Sequence, residues 1–595
     1  MRHVFCHIYP YKMNAYVYIL RHFPTMTRIQ VLAASVAVAT LLAGCSTLSE
    51  VRTAAIDPIP VPEIKRPDGE SAQWWYTQGA STAASKGAME GRAKNVILFV
   101  GDGMSIPTVA AARILEGQRK GSPGEEQKLS WENFPNTALS RTYNVDSQTP
   151  DSAGTMAAMA TGVKTRIGVL SIAQNVAKDD CAGSLKNSVE TLWESAAEAG
   201  LAVGVVTTTT VTHATPGATF SHVPNRGWEN DSDLSDEVKA AGCVDIASQI
   251  VNSRFGRGPD VLMGGGRQSF FGVESEDPEY TDKVGQRLDG RDLTKEWLAR
   301  HPGGIYVWNK QQFDAAPKGV PLLGLFEPSH MQYEAERSKD KAGEPSLAEM
   351  TTSAIERLKA LNPNGFVLLV EGGRIDHAHH QGNAHRALVD TIALSDAVRA
   401  ATQATSSDDT LILVTADHAH TMTFAGYPAR GNPILGKVKG GSGESIDPTA
   451  LALDATGLPY TTLGYANGPG NVGASSSQKE GVKKYPHNGR EYQMNSIGRP
   501  DLTNVDTEAL DYMQEALVPM SAESHGGDDV GIWAWGSGSH AVRGSVEQNT
   551  IYHFLLQANP KVRNALCAKG LCNAQGVPVK VQIIDAMRAK PATSN

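Results

Sequence analysis

The stretch Phe366-Val-Leu-Leu-Val-Glu-Gly-Gly-Arg-Ile-Asp-His-Ala-His-His380 decides how the rest of the chain is read. Residues 366–370 are an unbroken apolar run, bounded upstream by Asn362-Pro363-Asn364-Gly365. A short Val- and Leu-rich run predicts a strand buried on both faces of a parallel sheet. Glu371 follows at once. Asp376 and His380 stand four apart, so one helical turn aims both at the same point. A carboxylate and an imidazole so placed suit zinc.

The same pattern recurs. Asn95-Val-Ile-Leu-Phe-Val100 runs into Gly101-Asp102-Gly103-Met104, and Thr410-Leu-Ile-Leu-Val-Thr415 into Ala416-Asp417-His418. Further strands are expected at 203–207, 260–263 and 530–535. Helices are expected through Trp74–Tyr76 and at 108–115, 188–200, 235–251, 346–361, 388–398 and 548–556, whereas 267–345 reads as irregular. This is an α/β chain. In open parallel sheets the ligand crevice lies off the carboxyl ends of the strands. Asp102, Glu371 and Asp417 should therefore meet there.

With 595 residues, the chain exceeds one ordinary core, which predicts a large domain carrying insertions. A formal net charge of -9 gives no support to nucleic-acid binding. Residues 1–45 read as a targeting segment: Arg21, His22 and Arg28 precede an apolar stretch ending Leu41-Leu42-Ala43-Gly44-Cys45. That ending resembles a bacterial lipoprotein signal, with Cys45 lipidated, and Met26 would make a more ordinary start than Met1. Residues 46–70, with Asp57-Pro-Ile-Pro-Val-Pro62, read as an extended tether. Cys181, Cys243, Cys567 and Cys572 suggest two disulfides in an exported protein. Three connectivities are open; the closeness of Cys567 to Cys572 favours pairing those two and leaving Cys181 to Cys243. Residues 421–520 are rich in Gly, Asn, Ser and Pro and read as a surface insertion, a cap over the site.

Thr149-Pro150-Asp151-Ser152-Ala153-Gly154-Thr155 opens a helix. Ser152 would stand at its N-terminus, where free N–H groups favour an anion, although Ser and Asp there are commonly simple caps. Acidic and His ligands with no cysteine nearby suit zinc and magnesium. Paired metals clamp attacking and leaving oxygens in an in-line displacement, and coordination can turn a serine into a nucleophile. Arg226 could hold phosphate oxygens bidentately. The chemistry points to phosphoryl transfer.

In these residues, taken in order from Gly101-Asp102-Gly103-Met104 through His213-Ala214-Thr215 to His525-Gly526-Gly527, the chain resembles the alkaline phosphatases. The resemblance implies a three-layer sandwich around a large, mostly parallel sheet, spanning residues 71–590, with 421–520 standing where a crown region stands. It implies a first zinc on Asp376, His380 and His525, a second on Asp102, Asp417 and His418, and magnesium on Asp102, Thr215 and Glu371. It makes Ser152 the nucleophile that becomes a phosphoserine and Arg226 the phosphate clamp. His213 and His377 match the animal and some marine bacterial forms, where the enterobacterial form has Asp and Lys. Residue 213 would then reach magnesium only through water. That branch carries a fourth, calcium-type site, matched by Glu279, the Phe326 carbonyl and Glu327, with Glu344 where the family has Asp. The resemblance further implies a homodimer acting on phosphate monoesters, and the lipoprotein-type signal implies export to a bacterial periplasm or envelope, with a lipid anchor in the outer membrane. A sulfatase is disfavoured because no Cys/Ser-x-Pro-x-Arg pattern surrounds Ser152. A diesterase is disfavoured by Arg226, and an inactive metal-binding protein by the presence of nucleophile, ligands and Arg together.

Overall fold

The computed structural model describes residues 56–441 and 445–584. The targeting segment with Cys45 and residues 46–55 of the expected tether lie outside them. The central sheet contains β1 (Asn95–Gly101), β2 (Asn136–Arg141), β3 (Ala202–Thr210), β4 (Val261–Gly265), β5 (Ile305–Val307), β6 (Leu322–Leu325), β7 (Phe366–Gly372), β8 (Thr410–Ala416), β9 (Val530–Gly536) and β10 (Gly544–Glu547). Their order across the sheet is β10-β2-β9-β8-β1-β7-β3-β4-β6-β5. All neighbours run parallel except β9, which opposes both β8 and β2.

Both faces are covered by helices: α1 (Ala72–Ser85), α2 (Ile106–Arg119), α3 (Ser152–Thr161), α4 (Leu347–Leu361), α5 (Arg374–His380), α6 (Ala384–Ala404) and α7 (Thr550–Ala558). Alternate residues of β1 feed the two cores. Val96, Leu98 and Val100 meet α1, α3 and α7, and Ile97 and Phe99 meet α2, α4 and α6. This is the three-layer sandwich, and it explains why β1, β7 and β8 are apolar throughout.

Three expectations need correction. The helix expected at 188–200 covers only Leu192–Glu198, because Thr191 and Glu194 form a capping box that starts it late. The helix expected at 235–251 is two, Asp236–Ala240 and Ile246–Val251, each started by its own cap, Ser235 and Asp245. Segment 267–345 is not wholly irregular: it supplies the edge strand β5 and its neighbour β6, too short to show a period. Residues 56–70 lie on the body, with Trp74 Nε1 donating to the Pro62 carbonyl at 3.0 Å. Within 421–520, Met422–Phe424 and Leu463–Gly468 pair, and Leu463–Gly468 also pairs with Ala516–Pro519. Cys181 is bonded to Cys243 and Cys567 to Cys572, a pattern of oxidising compartments. No helix among the described residues is long and apolar enough to cross a membrane.

Candidate active site

Register alone brings the acidic residues together. β1 lies between β7 and β8, with Val100 opposite Glu371 and Gly101 opposite Ala416. Asp102, Glu371 and Asp417 therefore emerge side by side at the carboxyl edge. All are fully buried. Gly103 has φ +69, and a Cβ there would strike the His420 ring at 2.3 Å, so only glycine fits. Its N–H donates to Asp417 Oδ1 at 3.0 Å.

Ser152 is the first residue of α3, which Asp151 caps. Its Oγ donates to Asp102 Oδ1 at 3.4 Å and lies 3.1 Å from His418 Nε2. That nitrogen is 3.3 Å from Asp102 Oδ1 and 3.4 Å from Asp417 Oδ2. Arg226 reaches over the same helix end. One nitrogen donates to Asp151 Oδ2 at 3.3 Å, the other to His213 Nε2 at 3.1 Å. Arg374 donates to His377 Nδ1 at 2.7 Å, and the His213 and His377 rings are 5.4 Å apart.

Asp376 Oδ1 is 3.3 Å from His380 Nε2 and 3.4 Å from His525 Nε2. The two Nε2 atoms are 3.0 Å apart. Yet His525 Nδ1 donates to the Pro150 carbonyl at 2.8 Å, and His380 Nδ1 to the Glu523 carbonyl. With Nδ1 donating, each Nε2 is the nitrogen free to act as a ligand, and the two converge with a carboxylate oxygen on one point. Such a set is repulsive without a cation and is a ready ligand cage with one. A second gap tells the same story. Asp102 Oδ2, Glu371 Oε1 and Thr215 Oγ1 are buried with no hydrogen-bond partner. Burial, with the charge of nearby Asp417, Asp376 and Glu371, pushes Asp102 well above the usual carboxylate range. Burial likewise carries Glu371 up to about 7. These residues fit bound divalent metal ions; buried carboxylates in such numbers need positive charge.

Three residues escaped the sequence reading. His420 Nε2 donates to Asp376 Oδ1 at 2.7 Å, and its Nδ1 meets buried Glu523. Burial alone would lower its pKa, but Glu523 and Asp376 outweigh that and push it up to about 10. The only sequence signal was its place two residues beyond His418. Asp340 is the third. Its oxygen, with those of Glu279 and Glu327, forms a group within 4.8 Å, and both Asp340 oxygens are buried without a partner. Glu344, the residue expected there, lies beside this group, and burial with Asp340 and Glu327 pushes it up to about 9. His379, between His377 and His380, faces the core instead, satisfied by Thr108 and Tyr465.

A family model for alkaline phosphatase matches residues 93–560. Alkaline phosphatase of Gadus morhua is 41% identical over 476 residues, 78% of this chain and 92% of the relative. Membrane-bound alkaline phosphatase of Bombyx mori is 42% identical over 473 residues, covering 78% and 79%. The human tissue-nonspecific isozyme is 40% identical over 474 residues, covering 78% and 83%. Among solved structures, the Thermus thermophilus alkaline phosphatase superposes with a TM-score of 0.55 at 24% identity, covering 85% of this chain and all of that one. The enzyme of the Antarctic bacterium TAB5 gives 0.50 at 19%, covering 79% and 98%. This is a metal-binding enzyme that hydrolyses phosphate monoesters, and the chain belongs to the alkaline phosphatase family.

Proposed function

We propose that hydrolysis proceeds through a phosphoserine at Ser152. Arg226, held by Asp151 and His213, binds two nonbridging oxygens and presents phosphorus to the serine. Ser152 Oγ forms a bond to phosphorus as the bond to the leaving alcohol breaks. The serine proton leaves on the side of Asp102, towards which the hydroxyl already donates, and the departing oxygen takes up a proton from water to leave as the alcohol. Water then attacks phosphorus, the Oγ–P bond breaks, and inorganic phosphate departs with serine restored. Asp376, His380 and His525 would hold one zinc, Asp102, Asp417 and His418 a second, and Asp102, Thr215 and Glu371 a magnesium. Bound there, such ions supply Lewis-acid neutralisation of charge on the attacking and leaving oxygens. His213 has its Nε2 taken by Arg226, but its Nδ1 is buried without a partner and the residue groups with Asp102 and Glu371 as candidate ligands; it would meet magnesium directly or through water. His377 lies outside the ligand set.

The observation that carries this reading is the pair of bare Nε2 atoms of His380 and His525 facing each other beside Asp376, with Ser152 at the adjoining cluster. The test is acid-quench trapping with radiolabelled phosphate. Label should be held by the native enzyme and absent from Ser152→Ala. Equal labelling of both would defeat the covalent route.

Around Glu279, Glu327, Asp340 and the Phe326 carbonyl we infer a calcium-type site, with Glu344 beside it. The two disulfides and the name of the Bombyx mori relative support an exported, membrane-associated enzyme; that the attachment is a lipid on Cys45, in a bacterial envelope, is our proposal from the sequence of the targeting segment alone. We also propose the homodimer of the family.

A further inference from the structure

Beside the reacting centre lies a cleft of about 730 Å³, lined among others by Gln381, Tyr485, His487, Asn488, Arg490 and Ala522. It joins the site through the backbone. Gln381 follows His380, and Ala522 precedes Glu523, whose N–H donates to the His380 carbonyl at 2.9 Å. In the displacement above, Ser152 attacks from the Asp102–His418 side. The leaving group then departs on the side of His380 and His525, and Gln381, which follows His380, lines this cleft.

Its outer wall is built rather than loose. His487 donates from Nδ1 to the Pro469 carbonyl at 2.8 Å, and its Nε2 meets Ser475 Oγ at 2.8 Å. Tyr492 OH donates to that same carbonyl at 2.6 Å. Gly489 sits so close to Pro469 and the Met520 carbonyl that a Cβ would come within 2.9 Å of each. The Tyr485 ring carries the Arg386 guanidinium at 4.1 Å. On this fixed wall, the side chains of Gln381, Asn488 and Arg490 have no hydrogen-bond or ion-pair partner among the described residues. Arg490 differs in this from Arg386 and Arg499, each held by two carboxylates. It is an exposed cation on a chain of net charge -9.

We propose that Arg490, with Gln381 and Asn488, forms a subsite for an oxyanion carried by the leaving group, a carboxylate or a second phosphate. A guanidinium flanked by two amides offers charge and donors suited to either. The inference rests on the monoesterase reading and adds a preference to it.

The experiment measures kcat/KM of the metal-loaded enzyme on glycerol 3-phosphate, 3-phosphoglycerate and propane-1,3-diol bisphosphate. The readout is the ratio of each acidic ester to glycerol 3-phosphate. Arg490→Ala should lower that ratio about fivefold, the scale of one exposed ion pair. Arg490→Glu should lower it further, Arg490→Lys should keep most of it, and about 0.5 M salt should shrink the difference. A fall for 3-phosphoglycerate assigns the subsite to carboxylates, and a fall for the bisphosphate to phosphates. Ratios within twofold of native in both Arg490→Ala and Arg490→Glu overturn the subsite while leaving the monoesterase intact. A native enzyme inactive on all three esters overturns the monoesterase reading and the subsite with it.

Discussion

His380 and His525 face each other through bare Nε2 atoms 3.0 Å apart, each ring turned by a backbone carbonyl accepting at Nδ1. Two such nitrogens converging beside Asp376 give a bound cation three ligands that the metal-free fold leaves poorly satisfied. Chelation should therefore lower Tm as well as abolish hydrolysis, with zinc restoring both. Saturation at about a hundred times Kd is worth about 2.7 kcal/mol. Calorimetry with and without EDTA checks this; an unchanged Tm would contradict it.

Arg226 should act on phosphate affinity more than on the bond-breaking step. Arg226→Ala is expected to cut kcat/KM for p-nitrophenyl phosphate about 100-fold, roughly 2.7 kcal/mol, and to weaken inhibition by inorganic phosphate. Asp151→Ala should raise KM by freeing Arg226 and cost about 1 kcal/mol of stability by uncapping α3. Steady-state kinetics and urea melts separate the two.

Glu523 touches no substrate; it holds His420, which holds Asp376. On the proposed ligand set it is a positioning residue for the first metal. Glu523→Gln should weaken zinc binding about 10- to 100-fold, the usual cost of losing an outer partner, with activity recovering in excess zinc. Competition with a chromogenic chelator measures the affinity directly. Native zinc affinity in the variant would remove Glu523 from this role.

The acidic group around Asp340 makes stability depend on pH. Burial and neighbouring Asp340 carry Glu327 up to about 8, and burial, Asp340 and Glu327 carry Glu344 up to about 9. The unfolded chain releases these protons near the ordinary glutamate pKa of about 4.3. With no cation present, their contribution is full at low pH and is lost as pH rises towards 9. Calcium should reverse the trend above pH 8 and release protons on binding. Melting curves across pH 5 to 9, with and without calcium, test it; a Tm that climbs with pH in chelator would contradict it.

The strands β1, β7 and β8 were legible because a strand covered on both faces must be apolar throughout, and their terminal acids are then conspicuous. Ser152 was legible from Pro150 and Asp151 at a helix start. His420 and Glu523 were not, because each acts through a neighbour and their meeting depends on Ala419–His420 pairing with His525–Gly526. Asp340 lies in a loop where acidic residues look merely solvated. The break after Ala240 was missed because 235–251 reads as one helix although Asp245 starts a second.

His525, paired with His420 just ahead of β9, joins the centre only after nearly all of the chain has been made, whereas Asp102 and Ser152 stand near its beginning. A polypeptide still emerging from a ribosome or a secretion pore thus owns half a coordination sphere. On the proposed ligand set, the first cluster closes only once the carboxyl-terminal residues have arrived, so a chain cut short before them would keep its nucleophile and lose that cluster.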